Sequence, residues 1–297
     1  MISDNLHYLK QHPYISSNIS LEIYDHPFPH IIINDMFASD IYDMICSNFE
    51  DMISRTKPYK DLPGAVHGYS AHIYGLKRSD CKYGYDFFVD NVWKNFNMMT
   101  FGILLNKYIA VSAHWHQAPA EPGFIHNDFN ICSVMEDGEK DYTLTGNCYY
   151  SDDTDQRNPE AVKMVRSIAG LYYFNNNPQK ENDGGTSIYT NYKFFSKVKG
   201  VPAKNNSMFL FAVQPNSYHG FSGASFNRSA IVQWFHSSPA YITHKYKDMM
   251  YKKHKKYGSA FERWQPKEAI WDIRKDPEYK KYFGSKKKSL EELLTDG

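Results

Sequence analysis

The chain has 297 residues, of which 42% are hydrophobic and 23% charged, so it can bury a sizeable core and is not a disordered protein. Its 34 basic and 33 acidic side chains nearly cancel, which leaves no global field to attract nucleic acid or a membrane surface. The four cysteines are widely spaced and contain no CxxC pair, which indicates free thiols in a cytoplasmic protein.

Residues 1–107 are predicted to form an N-terminal extension of helices and short strands. Residues 26–34 have the pattern of a turn followed by a short buried strand. Apolar side chains at helical spacing predict a helix over 39–53, with Ser39 as its N-cap, and a second helix within 86–106.

From residue 108 to 238 the pattern changes to short apolar runs separated by glycine, proline and asparagine. Such a series predicts a mainly β fold with flanking helices, built around a double-stranded β-helix (jelly roll) core. An acidic, polar stretch at 133–166 interrupts it and is too long for a hairpin loop, so we interpret it as an insert. The predicted strands are 109–116, 123–128, 169–174, 186–189, 208–213, 217–220 and 229–235.

Residues 239–297 are predicted to form a basic, helical C-terminal extension. The stretch from Lys245 to Lys288 carries nine net positive charges, so the rest of the chain is acidic although the total is close to neutral. Such a stretch is typical of a solvated helical face packed on the core, and a patch that steers an anionic substrate is the alternative. We expect the whole chain to form a single domain.

The string Gly123-Phe-Ile-His126-Asn-Asp128 places an imidazole and a carboxylate two residues apart. On a strand such residues point the same way and can reach one metal ion. His219, shortly after the apolar strand 208–213, could supply a second imidazole. Two histidines and one carboxylate on one face of a metal suit non-haem Fe(II) and oxygen chemistry.

Arg228 lies nine residues after His219, at the start of the last predicted strand. A short turn between two antiparallel strands would bring the two residues together. A buried guanidinium there needs an anion, and a carboxylate fits its forked geometry.

These motifs occur in an order that resembles the Fe(II)/2-oxoglutarate-dependent oxygenases, specifically the prolyl-4-hydroxylase-like group, over residues 109–236. Between the His126-Asn-Asp128 string and Arg228 the family shows a strand ending in Tyr-Leu-Asn, a Gly-Gly turn and a Pro-led strand ending in Phe. The matching stretches are Ala169-Gly-Leu-Tyr-Tyr-Phe-Asn175, Asp183-Gly-Gly-Thr-Ser-Ile-Tyr189 and the stretch from Val201-Pro-Ala to Phe211.

The resemblance implies that His126, Asp128 and His219 bind Fe(II) and that Arg228 binds the distal carboxylate of 2-oxoglutarate, with O2 as the other cosubstrate. A tyrosine of the 169–175 strand often adds a hydrogen bond to 2-oxoglutarate in the family. Tyr173 is our choice for this role, because Tyr172 has the opposite parity and only one of the two can face inward.

Two features of the chain bear on this resemblance. The separation of 91 residues between Asp128 and His219 is longer than is usual in the family, and the insert accounts for most of it. Ala230 stands where some relatives carry a serine that contacts the cosubstrate. Because related halogenases lack the carboxylate ligand, the presence of Asp128 favours hydroxylation over halogenation.

The implied function is a 2-oxoglutarate-dependent non-haem iron dioxygenase that hydroxylates an unactivated C–H bond and releases succinate and CO2. The insert and the N-terminal extension suggest an enclosed pocket, which favours a small-molecule substrate, and the basic C-terminal extension weakly favours an anionic one. The candidate substrate-binding residues are Trp115, His116 and Trp234. A peptidyl prolyl hydroxylase of the same family is the alternative.

A different metal site is also conceivable from the sequence. His114-Trp-His116-Gln-Ala-Pro-Ala-Glu121 matches the HxH-x4-E core of the cupin motif, which with His219 would give four ligands. The flanking glycines of that motif are absent, since Tyr108 and Asp128 stand in their places. His114 and His116 would share one face of their strand, and Trp115 would lie on the other.

Overall fold

A computed structural model describes residues 2–56, 71–129, 131–135, 138–145, 161–191 and 193–254. Four α-helices lie in these ranges: α1 (Ile2–Lys10), α2 (Ser39–Ser54), α3 (Asn91–Phe101) and α4 (Pro239–His254). Short 3-10 helices cover Arg78–Asp80, Tyr85–Val89 and Phe194–Ser196.

Most of the described chain is β-structure, arranged in two sheets. The larger sheet has the order β1-β2-β10-β7-β12-β4-β3, with β5 beside β7 and β6 beside β4, and the smaller has the order β11-β8-β9. The predicted mainly β fold with a jelly-roll core is therefore confirmed. The strands are β1 (Ser20–Tyr24), β2 (His30–Asn34), β3 (His72–Gly75), β4 (Tyr108–His116), β5 (Ile131–Val134), β6 (Thr143–Leu144), β7 (Val162–Phe174), β8 (Thr186–Tyr189), β9 (Lys197–Val201), β10 (Ser207–Ala212), β11 (His219–Phe221) and β12 (Arg228–Ser237).

Alternating side chains of the larger sheet build two separate cores. On the outer face Tyr172, Met208 and Ile231 pack in a cluster with apolar side chains of α2 and α3. On the inner face Tyr173 and Phe209 belong to a second cluster, which also contains apolar residues of the smaller sheet. The inner face is therefore the one available for a site between the two sheets.

The N-terminal extension contributes strands to the larger sheet rather than standing apart from it. Strand β2 pairs antiparallel with β10, with Ile32 opposite Phe209. Strand β1 pairs with β2 and forms the edge of the sheet. Neither β1 nor α1 was predicted, because their short and partly exposed segments have no strong apolar periodicity.

Three local predictions need correction. Helix α2 has Ala38 as its N-cap, with no side-chain capping bond, so Ser39 is the first helical residue. Residues 123–128 form no regular strand and pair with the rest of the fold through isolated bridges. The insert predicted at 133–166 is shorter, because β7 already begins at Val162 and pairs there with β5.

The Gly-Gly turn before β8 brings three chain segments close together. Gly184 has a left-handed backbone with φ of 71°, and its carbonyl oxygen accepts a 2.8 Å hydrogen bond from Nε of Arg228. A Cβ atom on Gly185 would collide with the carbonyl oxygen of Val201. Only glycine leaves room for this approach of the backbone.

The described part of the chain bears on three further expectations. None of its helices has the length and hydropathy needed to span a membrane. The thiols of Cys46 and Cys81 are free, whereas Cys148 falls outside the described residues. Most of the basic C-terminal extension, from residue 255 onward, also falls outside them.

Candidate metal centre

The side chains of His126, Asp128 and His219 converge between the two sheets. Nε2 of His126 lies 3.7 Å from one carboxylate oxygen of Asp128, and Nε2 of His219 lies 3.6 Å from the other. Ligand atoms of the three residues all lie within 4.8 Å of one another. Two imidazole nitrogens and a carboxylate at this spacing fit a divalent transition metal.

Backbone pairing brings the two distant histidines together. The N–H of His126 donates to the carbonyl oxygen of His219 at 2.9 Å, and the reverse bond measures 2.7 Å. Asp128 has a left-handed backbone with φ of 57°, a conformation that aspartate tolerates better than most residues. His126 and Asp128 therefore do not come together through the shared face of a regular strand alone. The left-handed backbone of Asp128 and the pairing of His126 with His219 also contribute.

Backbone carbonyls orient both imidazoles. Nδ1 of His126 lies 3.1 Å from the carbonyl oxygen of Phe124, and Nδ1 of His219 lies 2.8 Å from that of Ser217. A carbonyl oxygen only accepts hydrogen bonds, so each Nδ1 carries the proton and each Nε2 keeps its lone pair for a metal.

The surroundings hold Asp128 and His219 in the protonation states that a metal requires. Burial lowers the pKa of His219 to about 4, with a further contribution from His126. Burial alone would raise the pKa of Asp128, but Arg166, the two histidines and the Trp234 N–H together hold it well below its usual range. The centre therefore offers an ionised carboxylate and a neutral His219.

Arg166 is a residue of this centre that the sequence analysis missed. Its Nη1 lies 2.6 Å from Oδ1 of Asp128 in a buried ion pair. Trp234 donates from Nε1 to the other oxygen, Oδ2, at 2.9 Å. Because Arg166 falls within the predicted insert at 133–166, no strand parity was assigned to it.

Arg228 is buried on the same inner face, with 3% of its surface exposed. Its Nε is held by the Gly184 carbonyl, and its Nη1 lies 3.4 Å from Nδ1 of His116. Within the described ranges, the arginines that form ion pairs are Arg55, Arg78 and Arg166, and no carboxylate pairs with Arg228. A buried cation with an open donor fork is a site for an anionic ligand.

Comparison with known proteins identifies the class of this centre. Residues 125–236 match the family model described as the 2OG-Fe(II) oxygenase superfamily. These residues form a domain of this superfamily. The domain is that of a 2-oxoglutarate-dependent non-haem iron dioxygenase, and the superfamily implies Fe(II), 2-oxoglutarate and O2 as cofactor and cosubstrates.

Solved structures similar to this oxygenase have low sequence identity. A prolyl-4-hydroxylase of Pseudomonas putida is 11% identical, with a TM-score of 0.44 over 79% of this chain and 98% of its own. A prolyl hydroxylase of Trichoplax adhaerens, in complex with a peptide fragment of the hypoxia inducible factor oxygen degradation domain, is 15% identical, with a TM-score of 0.47 over 69% and 82%. The carbocyclase SnoK of nogalamycin biosynthesis is 8% identical, with a TM-score of 0.45 over 70% and 79%. No curated protein matches the chain in sequence.

The two adjacent tyrosines of the oxygenase point to opposite faces of β7. Tyr173 lies on the inner face, where its hydroxyl is 2.7 Å from Oγ1 of Thr186 and its ring centroid 5.2 Å from Cζ of Arg228. Tyr172 lies in the outer core and donates to Oδ1 of Asn206. Of the two, Tyr173 is thus the neighbour of Arg228.

Strand β4 contributes two histidines to the inner face and a tryptophan to the outer one. His116 packs on Phe221 with ring centroids 4.5 Å apart, next to Arg228, and Nε2 of His114 lies 2.8 Å from Oγ of Ser112. Trp115 packs edgewise on His72 on the outer face. The prediction that Trp115 contributes to this pocket was wrong, because strand alternation turns its side chain away from the metal centre.

The cupin interpretation is not supported by the arrangement of its residues. Glu121 is exposed, and Nε2 of His114 is engaged with Ser112. Within the described ranges, the group that could hold a metal is His126, Asp128 and His219, without His114, His116 or Glu121.

The buried histidines predict a loss of stability in mild acid. Burial lowers the folded-state pKa of His219 to about 4, that of His114 to about 3 and that of His116 well below 6.5, with Arg228 adding to the effect on the last two. Unfolding restores the ordinary pKa, so the unfolded chain binds more protons as the pH falls from about 7 to about 4. The free energy of unfolding of metal-free protein should therefore fall by about 1.4 kcal/mol per pH unit for each such histidine.

Urea unfolding of the chelator-treated protein at several pH values measures this slope. In the His114→Gln variant, the unfolding free energy should fall by about 1.4 kcal/mol less per pH unit than in wild type. The His244→Gln variant, which changes an exposed residue of α4, should keep the wild-type slope. Equal slopes for wild type and His114→Gln would show that His114 does not contribute.

Proposed function

We propose that His126, Asp128 and His219 bind the Fe(II) of this dioxygenase and that Arg228 anchors the distal carboxylate of 2-oxoglutarate beside it. The observation that carries the proposal is that one inner face holds both a three-ligand group and a buried guanidinium with no carboxylate partner among the described residues. Bound iron, 2-oxoglutarate and O2 supply the oxidation of an unactivated C–H bond, with release of succinate and CO2.

The ligand set suits this chemistry because it leaves part of the coordination sphere open. Two histidines and one carboxylate would hold the metal and would leave coordination positions for the keto acid and O2. The hydrogen bonds from Nδ1 of His126 and His219 to backbone carbonyls orient the Nε2 atoms that would bind the metal.

Arg228 would orient 2-oxoglutarate through its free donor atoms. Its Nε is bonded to the Gly184 carbonyl and its Nη1 lies 3.4 Å from Nδ1 of His116, so the remaining N–H groups of the terminal nitrogens would serve a carboxylate. The Tyr173 hydroxyl lies on the same inner face and would add a hydrogen bond to the cosubstrate, in exchange for or beside its contact with Thr186.

We propose hydroxylation of a small molecule as the reaction. The side chain of His126 is 24% exposed, whereas those of Asp128 and His219 are 8% and 6% exposed, so substrate would approach from the His126 side. Trp234 and His116 lie on the inner face at either end of the centre and are candidates to border the substrate. The basic stretch that begins at Lys245 supports an anionic substrate through steering.

We also propose a single catalytic domain in the cytoplasm, without a nucleic-acid or membrane partner. The pairing of β2 with β10 joins the N-terminal extension to the core sheet. The free thiols of Cys46 and Cys81 are consistent with a reducing compartment.

Succinate release is the direct test of this function. The full-length protein with Fe(II) and 2-oxoglutarate should be stimulated by one class of compounds in a library of metabolites and peptides. Stimulation by peptides alone would overturn the small-molecule assignment and support a peptidyl prolyl hydroxylase. Under anaerobic conditions, Fe(II) and 2-oxoglutarate should produce a visible charge-transfer band, and its absence would contradict the assigned iron site.

A further inference from the structure

Arg166 is a buried cation at the metal centre to which the proposed function gives no role. Its side chain extends from β7, is 8% exposed and contacts Oδ1 of Asp128 at 2.6 Å. Oδ1 is also the oxygen nearer to Nε2 of His126. A charge of this kind is costly to bury, so its position against a metal-binding carboxylate requires a reason.

A β-bulge places Arg166 on the inner face. Along the β7–β12 pair, Phe235 lies opposite Ile168, but the next residue, His236, lies opposite Arg166. Ser167 is therefore an extra residue in β7, and it reverses the side-chain parity of the strand beyond this point. Without the bulge, the Arg166 side chain would point into the outer core, away from Asp128.

Trp234 approaches the same carboxylate from the neighbouring strand β12. Its Nε1 donates to Oδ2 of Asp128 at 2.9 Å, and Arg166 donates to Oδ1. Each carboxylate oxygen therefore accepts one hydrogen bond from this pair of side chains, which we call the clamp. The guanidinium carbon of Arg166 lies 3.9 Å from the centroid of the Trp234 ring, which stacks the two donors on each other. The two side chains thus fix each other as well as the carboxylate.

We propose that Arg166 and Trp234 are positioning residues that hold the Asp128 carboxylate for the metal and thereby set the affinity of the centre for Fe(II). The inference rests on the proposed role of Asp128 as an iron ligand. Asp128 has a left-handed backbone in an irregular segment, so regular strand pairing does not orient its side chain. Donors that orient a metal ligand in advance reduce the cost of ordering it, and losing such a partner typically weakens metal binding by about 10- to 100-fold.

The two donors can be tested separately because only one of them is charged. Trp234→Phe removes the N–H and keeps an aromatic ring under Arg166. Arg166→Lys keeps the charge and removes the planar fork that stacks on the ring. Trp115→Phe is the matched control, since it makes the same change on the outer face of the sheet.

Anaerobic titration of the full-length, metal-free protein with Co(II), followed by Fe(II), measures the affinity. Trp234→Phe should bind about 10-fold more weakly than wild type, Arg166→Lys should also bind more weakly, and Trp115→Phe should match wild type. The double variant should lose less than the two single losses combined, because each donor supports the other.

Thermal unfolding of the metal-free variants separates a positioning role from a purely structural one. A lower melting temperature with unchanged affinity in Trp234→Phe and Arg166→Lys would overturn the clamp and leave the iron site intact. If the wild-type protein itself bound neither ion, the proposed function would fail together with the clamp. Trp234→Phe keeps the test decisive if Arg166→Lys does not fold.

Discussion

Replacing Arg228 by methionine should raise the KM for 2-oxoglutarate strongly. The guanidinium is buried beside Tyr173 and His116 and has no carboxylate partner among the described residues. Truncating one side of a buried charge-assisted pair costs about 2–5 kcal/mol, or roughly 30- to 5,000-fold in affinity. Succinate release measured over a range of 2-oxoglutarate concentrations gives the KM directly.

Two further variants control this prediction. Arg228→Lys keeps the charge without the forked geometry, so its KM should lie between those of wild type and Arg228→Met. Arg78→Met removes an arginine whose side chain is 40% exposed and which pairs with Asp141 at the surface, and it should leave the KM unchanged. An unaltered KM in Arg228→Met would mean that the cosubstrate binds elsewhere.

Replacing Asp128 by alanine should abolish iron binding and also destabilise the metal-free protein. The variant loses one of three proposed ligands, so the anaerobic charge-transfer band with Fe(II) and 2-oxoglutarate should disappear. It also removes the carboxylate bonded to Arg166, and breaking a buried ion pair from one side typically costs about 3–5 kcal/mol. Urea unfolding in the presence of a chelator measures the second effect.

A double variant separates the two consequences. Asp128→Ala combined with Arg166→Met removes both charges, so stability should recover in part while iron binding stays absent. A charge-transfer band that persisted in Asp128→Ala would contradict the assignment of Asp128 as a ligand. Equal stability of wild type and Asp128→Ala would show that the ion pair with Arg166 contributes little.

Local chemistry was sufficient to nominate the members of the centre. His126 and Asp128 are separated by a single residue, and Arg228 follows nine residues after His219, so few residues intervene within each pair. Their order along the chain, with the Gly-Gly turn between them, was informative for the same reason. The antiparallel turn expected between His219 and Arg228 does not form, because β11 and β12 belong to different sheets. The structure places all four residues between the two sheets, where the three candidate ligands converge.

The remaining errors arose where side-chain parity or pairing depends on distant strands. Trp115 was assigned to the pocket although alternation along β4 turns it outward. Arg166 fell within the predicted insert. Simple alternation along the strand, counted back from the inward-facing Tyr173, would also have placed its side chain on the outer face. Only the extra residue Ser167, which appears when β7 pairs with β12, turns Arg166 toward Asp128.

The sequence by itself indicated the mainly β class and nominated the three candidate ligands and the arginine, through residue identity and the order of motifs that resembles the family. Only the tertiary structure decided what surrounds Asp128. Arg166 lies 38 residues from it and Trp234 lies 106 residues from it, and both reach it through strand register. Register is set by long-range backbone pairing, and a shift of one residue exchanges the two faces of a strand.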